Sequence, residues 1–307
     1  MSSILVTGAA GFVGSALARD LLGKEHTVVS VTRDRTRTPP GTAVVYGDVT
    51  DQAFCRRVLA DYGIDTIYHL AAQSIVSVCA EDPISALSVA VIGTASLLQA
   101  VREIGRPCRA VVMSSDKVYG VSPPPYTEET PLDARHAYEV SKACQSLVAR
   151  MFASNFSLDV VEVRAVNVYG PGDPNESRIV PNTIRRCLRG EPPLLHAGAD
   201  GMRRQYIYLS DIVDALQFIR AHGFSGEAYC VGAPDAPMSV LEVMQRICRA
   251  ADISWQAPEI RSRDARFHEI EAQSVDGSKL RALGWQPYTP FQEGIRKTLQ
   301  WYQGGEI

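Results

Sequence analysis

The sequence predicts an α/β protein: a doubly wound parallel sheet with a smaller C-terminal lobe. Three observations predict it. Apolar runs of strand length alternate with amphipathic stretches of helix length through the first half of the chain. The first run leads straight into a glycine-rich turn, Thr7-Gly8-Ala9-Ala10-Gly11-Phe12-Val13-Gly14. After about residue 165 the alternation fades and prolines multiply, at 171, 174, 181, 192, 193, 234 and 237.

Taken in order, Ile4-Leu5-Val6 opens the first strand and residues 15–22 read as the helix after it. Residues 28–31, 66–70, 110–113 and 160–163 are further apolar runs, read as buried strands. Residues 92–103 and 139–152 carry helical periodicity. The expected organisation is a dinucleotide-binding Rossmann domain over 1–165. A mainly substrate-binding lobe follows over 166–307, with segments near 205–220 returning to the first domain. Ligands of such sheets sit beyond the carboxyl ends of the strands, so a cleft between the lobes is the expected site.

Composition narrows the function classes. Of 307 residues, 46% are hydrophobic and 21% charged, with a net charge of -3 and acids and bases mixed along the chain. Such a surface favours neither nucleic acid nor an anionic membrane as partner. No apolar run is read as long enough for a membrane span, and the early strand leaves no room for a signal peptide. The seven cysteines form no C-x-x-C pair, so no metal site is expected, and reduced thiols in a cytoplasmic protein are the simpler reading.

The turn has a physical logic. Gly8 permits the tight bend, Gly11 lets a pyrophosphate approach the backbone, and Gly14 allows the helix to pack on the strand. Phe12 and Val13 open that helix, whose N-terminus points at the phosphates. The second strand ends at Thr32-Arg33-Asp34, with Arg35 and Arg37 after it. Arginine here can accept a 2′-phosphate, while Asp34 can meet a ribose hydroxyl, so NAD and NADP both remain open with a slight lean to NADP from Arg33.

Tyr138-Glu139-Val140-Ser141-Lys142 places a tyrosine and a lysine one helical turn apart, and Ser114-Ser115 closes the strand before them. The chemistry needs this set. Tyrosine normally titrates near about 10. A neighbouring ammonium and a positive nicotinamide favour the phenolate, so Tyr138 is expected to accept a hydroxyl proton near neutrality. The set resembles that of the short-chain dehydrogenases/reductases, a resemblance that implies that Lys142 also fixes the ribose and Ser115 hydrogen-bonds the reacting oxygen.

The G-x-x-G-x-x-G spacing and this Ser/Tyr/Lys set resemble the short-chain dehydrogenase/reductase superfamily. Gly47-Asp48-Val49 resembles its adenine-contacting turn, and Leu70-Ala71-Ala72 its strand end lining the cofactor. The remaining motifs resemble the extended branch, the NAD-dependent epimerase/dehydratase family, which acts on sugar nucleotides. Val166-Asn167-Val168-Tyr169-Gly170-Pro171 is similar to a turn whose asparagine contacts the diphosphate. Arg204-Gln205-Tyr206-Ile207-Tyr208-Leu209-Ser210-Asp211 is similar to a stretch whose arginine binds phosphate. Leu283-Gly284-Trp285 is similar to its closing segment, so the resemblance spans essentially the whole chain.

Ser115-Asp116-Lys117-Val118-Tyr119-Gly120 bears on the reaction. A 4,6-dehydratase oxidises C4, removes the C5 proton and protonates the departing C6 hydroxyl, which needs two proton-transfer groups beside the tyrosine. Asp116 is the expected acid and Lys117 the base or enolate stabiliser. The Asp-Lys pair resembles CDP-glucose 4,6-dehydratases and inverting UDP-N-acetylglucosamine 4,6-dehydratases. His69-Leu70-Ala71-Ala72-Gln73, Tyr138-Glu139-Val140-Ser141-Lys142 and Ser177-Arg178-Ile179-Val180-Pro181 strengthen the former resemblance, so Gln73, Arg178 and Val180 join Asn167 and Arg204 as the expected substrate contacts. Ala90, Gln205 and Cys230 depart from the usual pattern, leaving a 4-epimerase or a 5,6-dehydratase variant open. A non-catalytic NAD(P) sensor would not need Tyr138 and Lys142. A homodimer is expected through Leu97, Leu98, Val101 and Ile104 on one helix and Leu147, Val148, Met151 and Phe152 on the next.

Overall fold

A computed structural model describes residues 2–34, 39–262 and 270–304; Arg35 and Arg37 lie outside the described residues. Six strands form before residue 166: β1 (Ser3–Thr7), β2 (Thr27–Thr32), β3 (Ala43–Tyr46), β4 (Thr66–His69), β5 (Arg109–Ser115) and β6 (Val160–Ala165). With Ala228–Val231 they make one seven-stranded sheet, every pair parallel. Its order is Ala228–Val231, β6, β5, β4, β1, β2, β3. The order reverses between β1 and β4, where Thr7 stands opposite His69. A crevice opens beyond the carboxyl ends at such a reversal.

Alternation along the strands feeds two cores. Ile4 and Val6 enter one and Leu5 the other; Val111 and Val112 divide in the same way. Helix α1 (Phe12–Gly23) packs on one face with helix Leu209–His222. On the other face lie α2 (Gln52–Asp61), the helical run Pro83–Ile104 and much of a long helix, Ala137–Phe156. The short helix α3 (Val76–Glu81) precedes that run, which comprises α4 (Pro83–Leu87), a π-helical turn (Ser88–Ile92) and α5 (Gly93–Ile104); Ala137–Phe156 is α6.

Two expectations are corrected here. Pro83–Ile104 is long and apolar enough to cross a membrane by length and composition, with 22 residues and a mean hydropathy of 1.8 in its best window. The polar side chains of Ser85, Ser88 and Thr94 break the apolar run in sequence, yet the helix continues through them. Of that window, 56% is buried inside the fold, against α2 and α6. Secondly, Leu97, Leu98 and Val101 face the internal core, with at most 3% exposure. Phe152 also lies inside, whereas Leu147 and Met151 are 52% and 41% exposed. Helical spacing marks an apolar stripe without saying which neighbour covers it.

Beyond β6, helices Ile179–Leu188, Val240–Ala250 and Phe291–Gly304 enclose a separate core with Tyr169, Tyr206, Tyr208 and Phe291. Short two- and three-residue strands connect this lobe; Ala272–Gln273 runs parallel to Arg203–Arg204.

Candidate active site

A cleft of about 1110 Å³ lies at the crevice and extends between the lobes. At its floor Gly8, Gly11, Phe12, Val13 and Gly14 meet Leu70, Ala71 and Ala72. Gly8 sits at φ +71°, and a Cβ there would stand 2.8 Å from the Leu70 carbonyl and the Ala71 nitrogen. Only glycine adopts this bend without strain. Gly11 caps α1 without a side chain, which leaves the first-turn N–H groups open toward the cleft. These are the features a dinucleotide pyrophosphate requires, and the residues present fit it.

Arg33, Asp48 and Val49 line the adenosine end. Arg33 Nη1 donates to Asp48 Oδ2 at 3.3 Å, while Asp48 Oδ1 accepts from the Thr50 backbone and hydroxyl. These bonds outweigh partial burial and hold the Asp48 carboxyl below the usual range. Arg33 is thus already engaged with a carboxylate, and its geometry lends no weight to a 2′-phosphate.

At the reacting end, β5 delivers Ser115 and a 3₁₀ turn, Asp116–Tyr119, delivers the next two groups. Ser115 Oγ donates to Asp116 Oδ1 at 3.1 Å and accepts from the Lys117 backbone at 3.2 Å. Asp116 is 2% exposed, and its Oδ2 has no hydrogen-bond partner. Burial raises its pKa; Lys117 and Ser115 oppose this. Burial of this kind favours the protonated form, from which a carboxyl can donate. Lys117 Nζ donates to Gln273 Oε1 at 3.1 Å, from 156 residues away.

Helix α6 adds Tyr138 and Lys142. Its first turn is tied by Glu139, whose Oε2 accepts from the backbone of Arg135 and His136. Burial pushes the Tyr138 phenol up to about 12, against a hydrogen bond with Ser115. The lowered value expected from sequence is therefore not produced by the protein alone. Burial lowers Lys142 to about 8, with Glu162 opposing. Glu162 is paired with Arg164 at 3.0 Å behind the site and also accepts from Ser146, while Arg164 donates to the Tyr119 hydroxyl at 2.9 Å.

Across the cleft lie Asn167, Arg178, Val180 and Arg204. Asn167 Nδ2 donates to the Gln205 carbonyl at 3.2 Å. Arg178 Nη1 divides its bond between both oxygens of buried Asp173, at 3.0 and 3.1 Å. Arg204 Nη1 donates to the carbonyls of Arg203 and Glu271, at 2.9 and 3.1 Å. Gln73 differs from the others: it is not among the cleft-lining residues, and its Oε1 accepts from the Ile75 backbone ahead of α3. Sequence reasoning passed over Asp173, Gln145 and Gln273. Gln145 had a signal, since it follows Lys142 by three residues on one helix face. Gln273 had none.

This arrangement, a glycine turn under a cleft with Ser, Tyr and Lys at the reacting end, is that of a nicotinamide-dependent enzyme acting on a hydroxyl group. The chain belongs to the NAD dependent epimerase/dehydratase family, whose model matches residues 4–232. It is 30% identical to a dTDP-glucose 4,6-dehydratase of Xanthomonas campestris pv. campestris, over 98% of this chain and 93% of that one. DesIV, a dTDP-glucose 4,6-dehydratase from Streptomyces venezuelae solved with NAD, superposes with a TM-score of 0.88 at 28% identity, covering 98% and 97% of the two chains. The UDP-glucose 4-epimerase of Thermus thermophilus, also solved with NAD, gives 0.88 at 30%, covering 98% and 99%. The slight lean to NADP finds no support in these NAD complexes.

Proposed function

We propose that the chain is a nucleoside-diphosphate-sugar 4,6-dehydratase that uses NAD. Its relationship to the dTDP-glucose 4,6-dehydratases supports the reaction class. The observation that carries it is Asp116: a buried carboxyl with raised pKa and an unpartnered oxygen, beside Lys117 in the cleft. Simple inversion at C4 would use neither group.

Tyr138 takes the proton of the C4 hydroxyl, while Ser115 hydrogen-bonds that oxygen. Lys142 lends its positive charge to the phenolate and its N–H to a ribose hydroxyl. Bound NAD supplies the oxidant at C4 and, in the last step, the reductant at C6. Between them Lys117 takes the C5 proton and returns it to C5 when C6 is reduced, and Asp116 gives its proton to the C6 hydroxyl, which departs as water. Arg204 and Asn167 hold the diphosphate, and Arg178, fixed by Asp173, meets the substrate beside Val180.

A second reading, a 4-epimerase, is favoured by the Thermus relative. Incubation of the protein with a panel of nucleotide hexoses, read by mass and by carbonyl trapping, decides between them. Loss of one water with a C4 carbonyl is expected. Unchanged mass with inverted C4 would overturn the dehydratase reading, and loss of water without a carbonyl would indicate the 5,6-alkene variant. Asp116→Asn should then lower turnover by on the order of 10²–10⁴-fold, because the amide cannot give up the proton.

We also place the enzyme in the cytoplasm, supported by seven free cysteines, six of them buried. We further assign it a homodimer through Leu147 and Met151 on α6 and the exposed residues Ile84 and Ile92 of the neighbouring helical run.

A further inference from the structure

Lys142 is held by more than its place on a helix. Its Nζ donates to the Met113 carbonyl at 2.8 Å and to Gln145 Oε1 at 2.8 Å. Gln145 is fully buried, and its Nε2 donates to Thr94 Oγ1 at 3.1 Å. Thr94 has one hydroxyl proton. It lies on the 2.6 Å bond to the Ala90 carbonyl, because a carbonyl can only accept. Thr94 Oγ1 must therefore accept from His69 Nε2, 2.9 Å away, as well as from Gln145.

That settles the tautomer of His69. Nε2 carries the hydrogen, and Nδ1 accepts from the Thr7 hydroxyl at 2.7 Å. Thr7 Oγ1 in turn accepts the Ala71 N–H at 3.2 Å. Each hydrogen bond along this path has a fixed donor and acceptor, and none of Thr7, His69, Thr94 or Gln145 exceeds 1% exposure. The far end is the cofactor floor, since Thr7 precedes Gly8 and Ala71 lines the cleft.

We propose that Gln145, Thr94 and His69 are positioning residues: donors from the Lys142 side and from the Thr7 side converge on Thr94 Oγ1, a hydrogen-bond chain that fixes the Lys142 ammonium to the strand ends bearing the dinucleotide turn. Two of the three ammonium hydrogens go to Met113 and Gln145, which leaves the third for a ribose hydroxyl of bound NAD. A neutral amide suits the task. It accepts from the ammonium without binding it as an ion pair. The Thr94 hydroxyl meets the Ala90 carbonyl four residues back, a main-chain acceptor that does not depend on the side chain at position 90. Burial, with Lys142 nearby, lowers His69 to about 3, so the imidazole stays neutral and Nδ1 remains an acceptor for Thr7. An imidazolium would turn Nδ1–H against Thr7 and leave the Thr7 hydrogen without an acceptor.

The decisive variant is Thr94→Val, which preserves shape and does not touch Lys142. Side-chain ¹⁵N NMR of the full-length protein should show His69 as the neutral Nε2–H tautomer, and Thr94→Val should show a mixture of tautomers. Calorimetry should find NAD affinity in Thr94→Val and Gln145→Leu reduced by about tenfold or more, as expected for a misplaced ammonium. Turnover should fall by a similar factor at unchanged KM for the sugar nucleotide. Folded variants with wild-type NAD affinity and turnover would overturn the proposal. So would the Nδ1–H tautomer in the wild-type protein, a measurement that decides the matter even if a variant does not fold.

Discussion

Burial raises the pKa of both Asp116 and Tyr138, with opposite consequences for their work. A carboxyl that keeps its proton is a ready donor, whereas a phenol pushed up to about 12 is a poor acceptor until a positive charge is brought beside it. The first effect has a stability signature. An unfolded aspartate titrates near about 3.9. Between that pH and the raised native value, the folded chain binds more protons than the unfolded one, so stability falls as pH rises. Asn cannot titrate. The melting temperature of Asp116→Asn should therefore gain on the wild type as pH rises from about 4, then level off. Each tenfold difference in proton affinity is worth about 1.4 kcal/mol. A wild type that gains on the variant with rising pH would mean that the native carboxyl is ionised. Asp116 and Lys117 were legible in the sequence because they follow Ser115 directly. Gln273 was not, because its meeting with Lys117 depends on a two-residue strand pairing beside Arg203–Arg204.

At the level of elements, the strands and helices of the first half read well because both periodicities are strong there. Residues 28–31 fall within β2, 110–113 within β5 and 139–152 within α6. The π-helical turn left no mark, since its extra residue changes the helix phase without changing composition. What periodicity could not show is how α5 divides its apolar residues. Leu97 and Leu98 pack against the core that contains Phe54 and Val58 of α2, while Ile92, in the π-helical turn just before α5, remains 51% exposed. On α6, Leu147 and Met151 face outward, one turn apart. Exposed aliphatic side chains in this spacing suit an apolar contact with a second copy. Light scattering at micromolar concentration should give a dimer for the wild type and a monomer for Leu147→Glu with Met151→Glu. Burying two carboxylates at a symmetric contact opposes association strongly, whereas on an exposed face they disturb the fold little. A dimer that survives both changes would place the contact elsewhere.

For the whole molecule, the cofactor site is built almost entirely before residue 166, but the cleft is completed from across the lobe boundary. Arg204 illustrates the difference. Its motif was readable, yet its orientation is set by the carbonyls of Arg203 and Glu271, and helix Val240–Ala250 contributes Val240 and Met244 to the same wall. Short strands and loops of this kind have weak periodicity, so their arrangement is decided by tertiary pairing rather than local pattern. The consequence is separable in ligand-induced stabilisation. NAD at a hundredfold excess over its Kd should raise stability by about 2.7 kcal/mol, and a nucleoside diphosphate at its own hundredfold excess should add a comparable increment. The second increment requires both lobes, because the diphosphate is to be held by Arg204 and Asn167 over a floor set by the sheet. In Arg204→Gln the NAD increment should persist and the diphosphate increment should fall sharply, as expected when a charged hydrogen bond worth roughly 1.5–3 kcal/mol is lost. Glutamine retains much of the stem and one amide donor, so the wall is expected to keep its packing. Thermal shift with each ligand alone and together reads the two increments. Loss of both would make Arg204 a structural support of the cleft, and retention of both would place the diphosphate on other residues.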